Sequence, residues 1–275
     1  AGLGKGSRFY GYLPMSTHVV MDVESASEHG FVASRPQLPA DRMVYNQYSI
    51  TRHDPLYISR ETENHMMLFR PLFLTSYFLD DYVVIGHGGY GARTVIITSA
   101  SSKTSFGLAY MLQMRLDYKT IGLTSKRNTG FVESLKLYDR VVSYDDVGSL
   151  DKGEAVVIVD MAGNRVLNDT LRRHYLGKCK QVVGVGLSHW TQSHFVKKAT
   201  KKEDAKGENL APMHTFFAPG WIKRRKKDAD RAQVWEKMRT VWANMMQTAP
   251  SWIPITEHHG VQAVREVYQA MAKGS

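Results

Sequence analysis

The clearest hydrophobic pattern lies in the middle of the chain. Five short runs are apolar almost throughout: TVIITS at 94–99, KTIGLT at 119–124, RVVSY at 140–144, AVVIVD at 155–160 and QVVGVG at 181–186. Runs of this kind, rich in β-branched residues and without polar alternation, suit strands buried on both faces. Segments of helical length separate them, and strand–helix alternation predicts a parallel sheet wound by right-handed crossovers. The predicted fold class is therefore α/β with a doubly wound parallel sheet, and HTFFAP at 214–219 is a candidate sixth strand. Further on, Val234, Trp235, Met238, Val241, Trp242, Met245 and Met246 recur at helical spacing, as do Val261, Val264, Val267, Tyr268 and Met271. Each stripe predicts a helix with one face buried in the core. No apolar run approaches the ~20 residues needed to cross a bilayer.

In a doubly wound sheet, ligands bind beyond the carboxyl ends of the strands, near the point where strand order reverses. The first such end is TSASSKTSFG, Thr98 to Gly107, which leads into a helical pattern. A strand-to-helix turn offers unpaired amides and the positive end of a helix dipole, which suit a pyrophosphate. The usual glycine fingerprint is missing; instead Ser99, Ser101, Ser102, Lys103 and Thr104 supply small side chains, hydroxyl donors and a cation. The same letters also read as a serine-capped helix with no ligand. The second strand end carries Ser125, Lys126 and Arg127 and no carboxylate. An acidic residue there would accept from a ribose 2′-hydroxyl, whereas donors and positive charge suit a 2′-phosphate, so the cluster favours NADP(H) over NAD(H). Solvated cations in a surface turn are the alternative. The third end adds Tyr144, a ring able to stack on adenine, and the fourth places Ala162 and Gly163 in a tight turn after Asp160. The fifth brings Gly184 and Gly186 to the same edge, followed by His189.

Composition changes this picture in two respects. With 275 residues, 43% hydrophobic and 23% charged, the chain falls in the ordinary globular class. Its single cysteine, Cys179, excludes a disulfide framework and a multi-cysteine zinc site, which points to a reducing compartment such as the cytosol or the mitochondrial matrix. The opening AGLGKGSRFYGYLP does not read as a secretory signal. The net charge of +10 is concentrated in residues 197–231, which hold eleven cations against five carboxylates and so more than half of the excess. That segment reads first as a solvated surface insertion and second as a patch for an assembly partner, with nucleic acid only weakly indicated because no aromatic platform or zinc finger accompanies it.

The series GYLPMSTHVV, VYNQY, TSASSKT, GLTSKRN, LYDRVVSYDD and VDMAGN resembles the medium-chain dehydrogenase/reductase superfamily. The group it resembles includes zinc-free quinone and enoyl reductases, and the nearest branch is classed as a domain of unknown function. The resemblance spans nearly the whole chain. It implies a partial, β-rich GroES-like catalytic domain at 1–77 and a Rossmann NADP-binding domain at 78–220 with a basic loop at 197–212. C-terminal helices and a strand at 221–275 would return to the catalytic domain. GSRFYGYLP resembles a point well inside that catalytic domain, so the resemblance implies that its front is absent. LTSY at 74–77 looks like the superfamily's LTAY, which would set Thr75 near the nicotinamide. Ser125, Lys126 and Arg127 match the 2′-phosphate site, Tyr144 the tyrosine beside it, and Ala162 with Gly163 the turn facing the cofactor. The departure is at Lys103 and Phe106, near positions that other branches fill with glycine.

The activity so implied is zinc-independent hydride transfer to a carbonyl or activated double bond, on a small-molecule substrate and with no metal. Candidate catalytic groups are Tyr45 and Asn46 in VYNQY, and Ser76; a tyrosine hydroxyl suits donation to a developing alkoxide or enolate. VYNQY reads equally well as a packing motif. A reading from a different class is a reductase-like subunit serving as a non-catalytic structural part of a large assembly, a mitochondrial one among the candidates, joined through residues 197–231.

Overall fold

A computed structural model describes residues 3–37, 45–185, 209–228 and 230–273. The chain divides into two compact units, Ala1–Met66 and Met67–Ser275, with the boundary inside a long helix, α1 (Glu63–Asp80).

The first unit is built on a four-stranded antiparallel sheet of β1 (Phe9–Tyr10), β2 (Val23–Ala26), β3 (Gly30–Ala33) and β4 (Gln47–Ile50), in the order β1-β4-β3-β2. β3 and β4 each bury alternate residues, the period-2 signature of a sheet with one covered face. Phe31 and Tyr48 are paired across the two strands and stack with ring centroids 4.8 Å apart. Phe9 meets both rings edge-on, so three aromatics form a small core of their own.

The second unit contains a six-stranded parallel sheet. Its strands are β5 (Thr94–Ile97), β6 (Lys119–Thr124), β7 (Arg140–Ser143), β8 (Val156–Asp160), β9 (Cys179–Gly184) and β10 (Met213–Thr215). The order β10-β9-β8-β5-β6-β7 is that of a doubly wound Rossmann-type sheet, with its switch point between β5 and β8. All five apolar runs became strands, and the central pair, β5 and β8, is buried at every position because helices cover both faces of such a sheet. The helices that follow the first, second and fourth strands are α2 (Lys103–Gln113), α3 (Thr129–Ser134) and α4 (Arg165–His174).

The sixth strand is shorter and earlier than its run suggested. Thr215 ends it and α5 (Ala218–Arg225) begins three residues later. Pro219 in the first turn accounts for this: its fixed φ and missing N–H suit a helix start and oppose a strand interior.

The Met- and Trp-rich stripe forms α6 (Arg231–Trp252), which buries Val234, Met238, Val241, Trp242, Met245, Met246, Ala249 and Trp252. It packs on α1: Trp242 lies 4.8 Å from Phe73, and the Tyr77 hydroxyl donates to the Val234 carbonyl at 3.0 Å. Burial against this packing raises the Tyr77 pKa above that of an ordinary phenol. The last stripe forms α7 (Val261–Ala272) where its spacing placed it, but none of that helix's residues is buried. Val261 is 84% and Met271 72% exposed. The core-packing expectation is therefore corrected, because periodicity specifies a helix and its apolar face but not a surface to cover that face.

Candidate cofactor site

β5 ends at Ile97 in the middle of the sheet, and Thr98 is fully buried beneath the following turn. At the neighbouring end, Asp160 is 1% exposed. The Thr98 hydroxyl donates to Asp160 Oδ1 at 2.8 Å, and the same oxygen accepts the amides of Ala162 (3.0 Å) and Gly163 (3.1 Å). Asn168 Nδ2, one turn into α4, donates to Asp160 Oδ2 at 2.6 Å. Thr98 Oγ1 in turn accepts the amides of Met161 and Ala162. Among the described residues the buried carboxylate has no cationic partner but is surrounded by donors, which is what makes burial of its charge tolerable. One consequence is that the β8–α4 turn engages its own amides. Gly163 adopts φ +67°, which a side-chain-bearing residue reaches only with strain.

The turn after β5 has a different character. Ser99 sits at φ +53°, the left-handed region, and its amide donates to the Tyr144 hydroxyl at 3.0 Å. Burial raises the Tyr144 pKa despite that contact. The Ala100 amide donates to the Leu123 carbonyl, and the Tyr138 hydroxyl donates to the Ala100 carbonyl at 3.0 Å. Ser102 caps α2 by accepting the Ser105 amide, while the Ser105 hydroxyl donates back to the Thr98 carbonyl. This box fixes the turn without glycine. What it leaves open, among the described residues, is the Ser101 amide and hydroxyl proton and the first-turn amides of Lys103 and Thr104.

The second strand end folds into a single 3-10 turn, Lys126–Asn128, after Ser125. Asn128 Nδ2 donates to Ser101 Oγ at 3.2 Å, tying this turn to the first. Lys126 and Arg127 are exposed and have no ion-pair partner among the described residues. The structure therefore brings Ser99, Ser101, Ser102, Lys103, Thr104, Ser125, Lys126, Arg127, Tyr144, Ala162 and Gly163 to one sheet edge, joined by the hydrogen bonds above. Gly184 is at the same edge, paired with Asp160 on one side and Thr215 on the other.

Ser76 and Thr75 lie on α1. Ser76 is fully buried, and its hydroxyl lies 3.0 Å from the Leu72 carbonyl and 2.8 Å from the Thr104 carbonyl, so it ties α1 to the start of α2. Gly107, inside α2, explains the closeness: a Cβ there would meet Ser76 Oγ at 2.9 Å. The Thr75 hydroxyl donates to Pro71 O, one turn back along its own helix. Tyr45 and Asn46 belong to the first unit. Tyr45 is 46% exposed with its ring against Tyr12, while Asn46 is buried, its Oδ1 without a hydrogen bond among the described residues. Gly186, His189 and residues 197–208 lie outside the described residues.

Sequence reasoning had placed Asp160 at a turn without seeing its role, and it passed over Asn128 and Tyr138. The available signal was an acid closing a fully apolar strand, since a lone carboxylate in that position needs donors from the turn that follows. Nothing local marked Asn128, whose partner is 27 residues away.

A family model described as a protein of unknown function, DUF2855, matches residues 1–275. No curated protein matches the chain. Among solved structures, the alcohol dehydrogenase of the archaeon Aeropyrum pernix aligns with a TM-score of 0.52 and 16% identity, over 84% of this chain and 60% of that one. A Mesorhizobium loti protein provisionally named an NADPH:quinone reductase aligns with a TM-score of 0.50 and 10% identity, over 82% and 67%. YhdH of Escherichia coli K-12, crystallised with bound NADPH, aligns with a TM-score of 0.44 and 14% identity, over 73% and 58%. The chain thus spans about three-fifths of the length of such structures. At these identities the likeness to the first two shows the fold alone, an α/β fold with a parallel sheet.

Proposed function

The chain belongs to the DUF2855 family, and on that premise we propose that it is an NADP(H)-dependent oxidoreductase acting on a small molecule with a carbonyl or activated double bond. One observation carries the reading. At the second strand end of a Rossmann-type sheet, two exposed cations without acidic partners among the described residues stand on a turn that is hydrogen-bonded to the first. That end is where a doubly wound sheet meets the adenosine ribose, and it holds no carboxylate to accept from a 2′-hydroxyl.

The residues present fit the cofactor. Lys126 and Arg127 would hold the 2′-phosphate, Arg127 with a planar fork suited to two phosphate oxygens. The Ser101 hydroxyl, the Lys103 cation and the first-turn amides of α2 would hold the pyrophosphate. Asp160 turns its oxygens onto internal donors, which disperse its negative charge. When bound, NADP(H) supplies the hydride chemistry. The protein's part is position: Thr98 and Asp160 lock two turns, and Ser76 locks α1 to α2 at Thr104. Ser76 thereby acts in packing. Tyr45 is the proposed proton donor, since its ring is exposed and its hydroxyl has no partner among the described residues.

Titration calorimetry tests the reading. NADPH should bind more tightly than NADH, and the Lys126→Ala/Arg127→Ala double variant should bind NADPH at least tenfold more weakly, given about 1.5–3 kcal/mol for a hydrogen bond to a charged group. Equal affinity for the two cofactors in the unaltered protein would defeat the NADP(H) assignment. The Tyr45→Phe variant should lower turnover with quinone or enal substrates about a hundredfold while cofactor affinity is unchanged. A second reading, a reductase-like structural subunit, is favoured by the first turn's engagement of the Ser99, Ala100 and Ser102 amides with its own neighbours. Undetectable binding of either cofactor would support it.

A further inference from the structure

The sheet edge does not use the charge on α5. Arg225 is 9% exposed and lies among three carboxylates: its Nε is 2.9 Å from Asp81 Oδ2, its Nη1 2.6 Å from Asp228 Oδ2 and its Nη2 3.0 Å from Asp230 Oδ2. The Trp221 indole N–H donates to the same Asp81 oxygen at 2.8 Å. The hydrogen bond from Arg225 holds Asp230 below the usual carboxylate range. In the sequence Asp228 and Asp230 stand beside basic neighbours, but the fold turns both acids onto the buried Arg225. Lys223, Arg224, Lys226 and Lys227 are left exposed with no ion pair among the described residues.

Two of these four cations are also held in place. The Arg224 guanidinium lies over the Trp221 ring at 4.7 Å, and the Lys226 ammonium over the Trp235 ring at 5.9 Å. Such contacts fix a side chain without neutralising it. Favourable contact with the carboxyl end of the α5 dipole accounts for cations in the last turn, but it is worth only about 0.3–1 kcal/mol each and does not require the acids to be withdrawn.

We propose that the end of α5 is a docking surface for the phosphodiester backbone of a nucleic acid, gripped by Lys223, Arg224, Lys226 and Lys227 without sequence selection. The chemistry of the surrounding surface selects this occupant over other anions. Among the described residues, the last turn of α5 and the whole of α6 expose no large hydrophobic side chain, the half-exposed Phe217 standing at the opposite end of α5. Protein interfaces are anchored by buried aromatic or aliphatic groups, and membrane-surface helices by an apolar face. A phosphate backbone requires neither, because cations and counterion release suffice. The two tryptophans offer no free platform for bases, since cations cover them, so recognition stops at the backbone.

The test is fluorescence anisotropy of the full chain with a labelled 20-mer of deoxythymidine between 50 and 200 mM salt. Four phosphate contacts on a single strand predict a log–log salt slope of about −3. The Lys223→Ala/Lys226→Ala/Lys227→Ala variant should bind at least tenfold more weakly, with a slope shallower by about 2 and an unchanged thermal midpoint, because all three side chains are exposed. Failure of the unaltered protein to bind, or a variant that keeps the full slope, would overturn the proposal. So would equal competition by polyglutamate at matched charge, or equal binding to vesicles rich in anionic lipid.

Discussion

Two turns at one sheet edge, on the strands that flank β5, are opposite in character. The turn after β8 is closed: Asp160 accepts Thr98, Ala162, Gly163 and Asn168, and Thr98 accepts Met161 and Ala162. The turn after β6 is open: Lys126 and Arg127 are exposed and without acidic partners among the described residues. The first is a structural joint at the switch point, and the second is a set of charges with no internal use. A strand end in a doubly wound sheet is thus a site by position only, and whether it holds a ligand depends on which donors the turn leaves unengaged.

This contrast predicts a separation of effects. The largest belongs to the closed turn. Asp160→Ala should lower the unfolding free energy by about 3–5 kcal/mol in urea titrations, because several buried donors lose their acceptor together. A loss below about 1 kcal/mol would show that the turn does not depend on the carboxylate. The Lys126→Ala/Arg127→Ala pair should do the reverse: NADPH affinity falls as stated above while stability stays within about 0.5 kcal/mol, as for other exposed substitutions. The smallest effect belongs to the hydrogen bond linking the open turn to its neighbour. Asn128→Ala should weaken NADPH binding a few-fold, about 0.5–1.5 kcal/mol, and weaken NADH less, because only the 2′-phosphate turn is loosened. Equal losses for both cofactors would place the role of Asn128 at the pyrophosphate instead.

The strands were the most legible part of the sequence. TVII, KTIGLT, RVVS, VVIVD and QVVG announce themselves because a strand buried on both faces has no polar period to obscure it. SKRN was legible for a related reason: a run of donors at a strand end is a local feature, and so is the absence of an acid. The Met- and Trp-rich stripe of α6 was readable as core, but the equally regular stripe of α7 was not, since burial needs a second surface that the stripe does not encode. Ser76 illustrates the limit for single residues. A serine in LTSY reads as a polar group available to a cleft, and only the approach of Gly107 reveals that its hydroxyl joins two helices.

The chain's own letters therefore determined the doubly wound sheet, the edge at which a dinucleotide would bind and the positive charge at its second strand end. All of these follow from residues adjacent in sequence, through apolar runs and local turn chemistry. Only the tertiary structure decided which polar groups remain available. Asp160 is engaged by Thr98 from 62 residues away and Ser101 by Asn128 from 27, while Arg225 meets Asp81 across 144 positions and also draws Asp228 and Asp230 away from the lysines beside it. Hydrogen bonds and ion pairs act over about 3 Å of space whatever the distance along the chain, so which donors and charges are engaged is settled only when the folded chain brings their partners together.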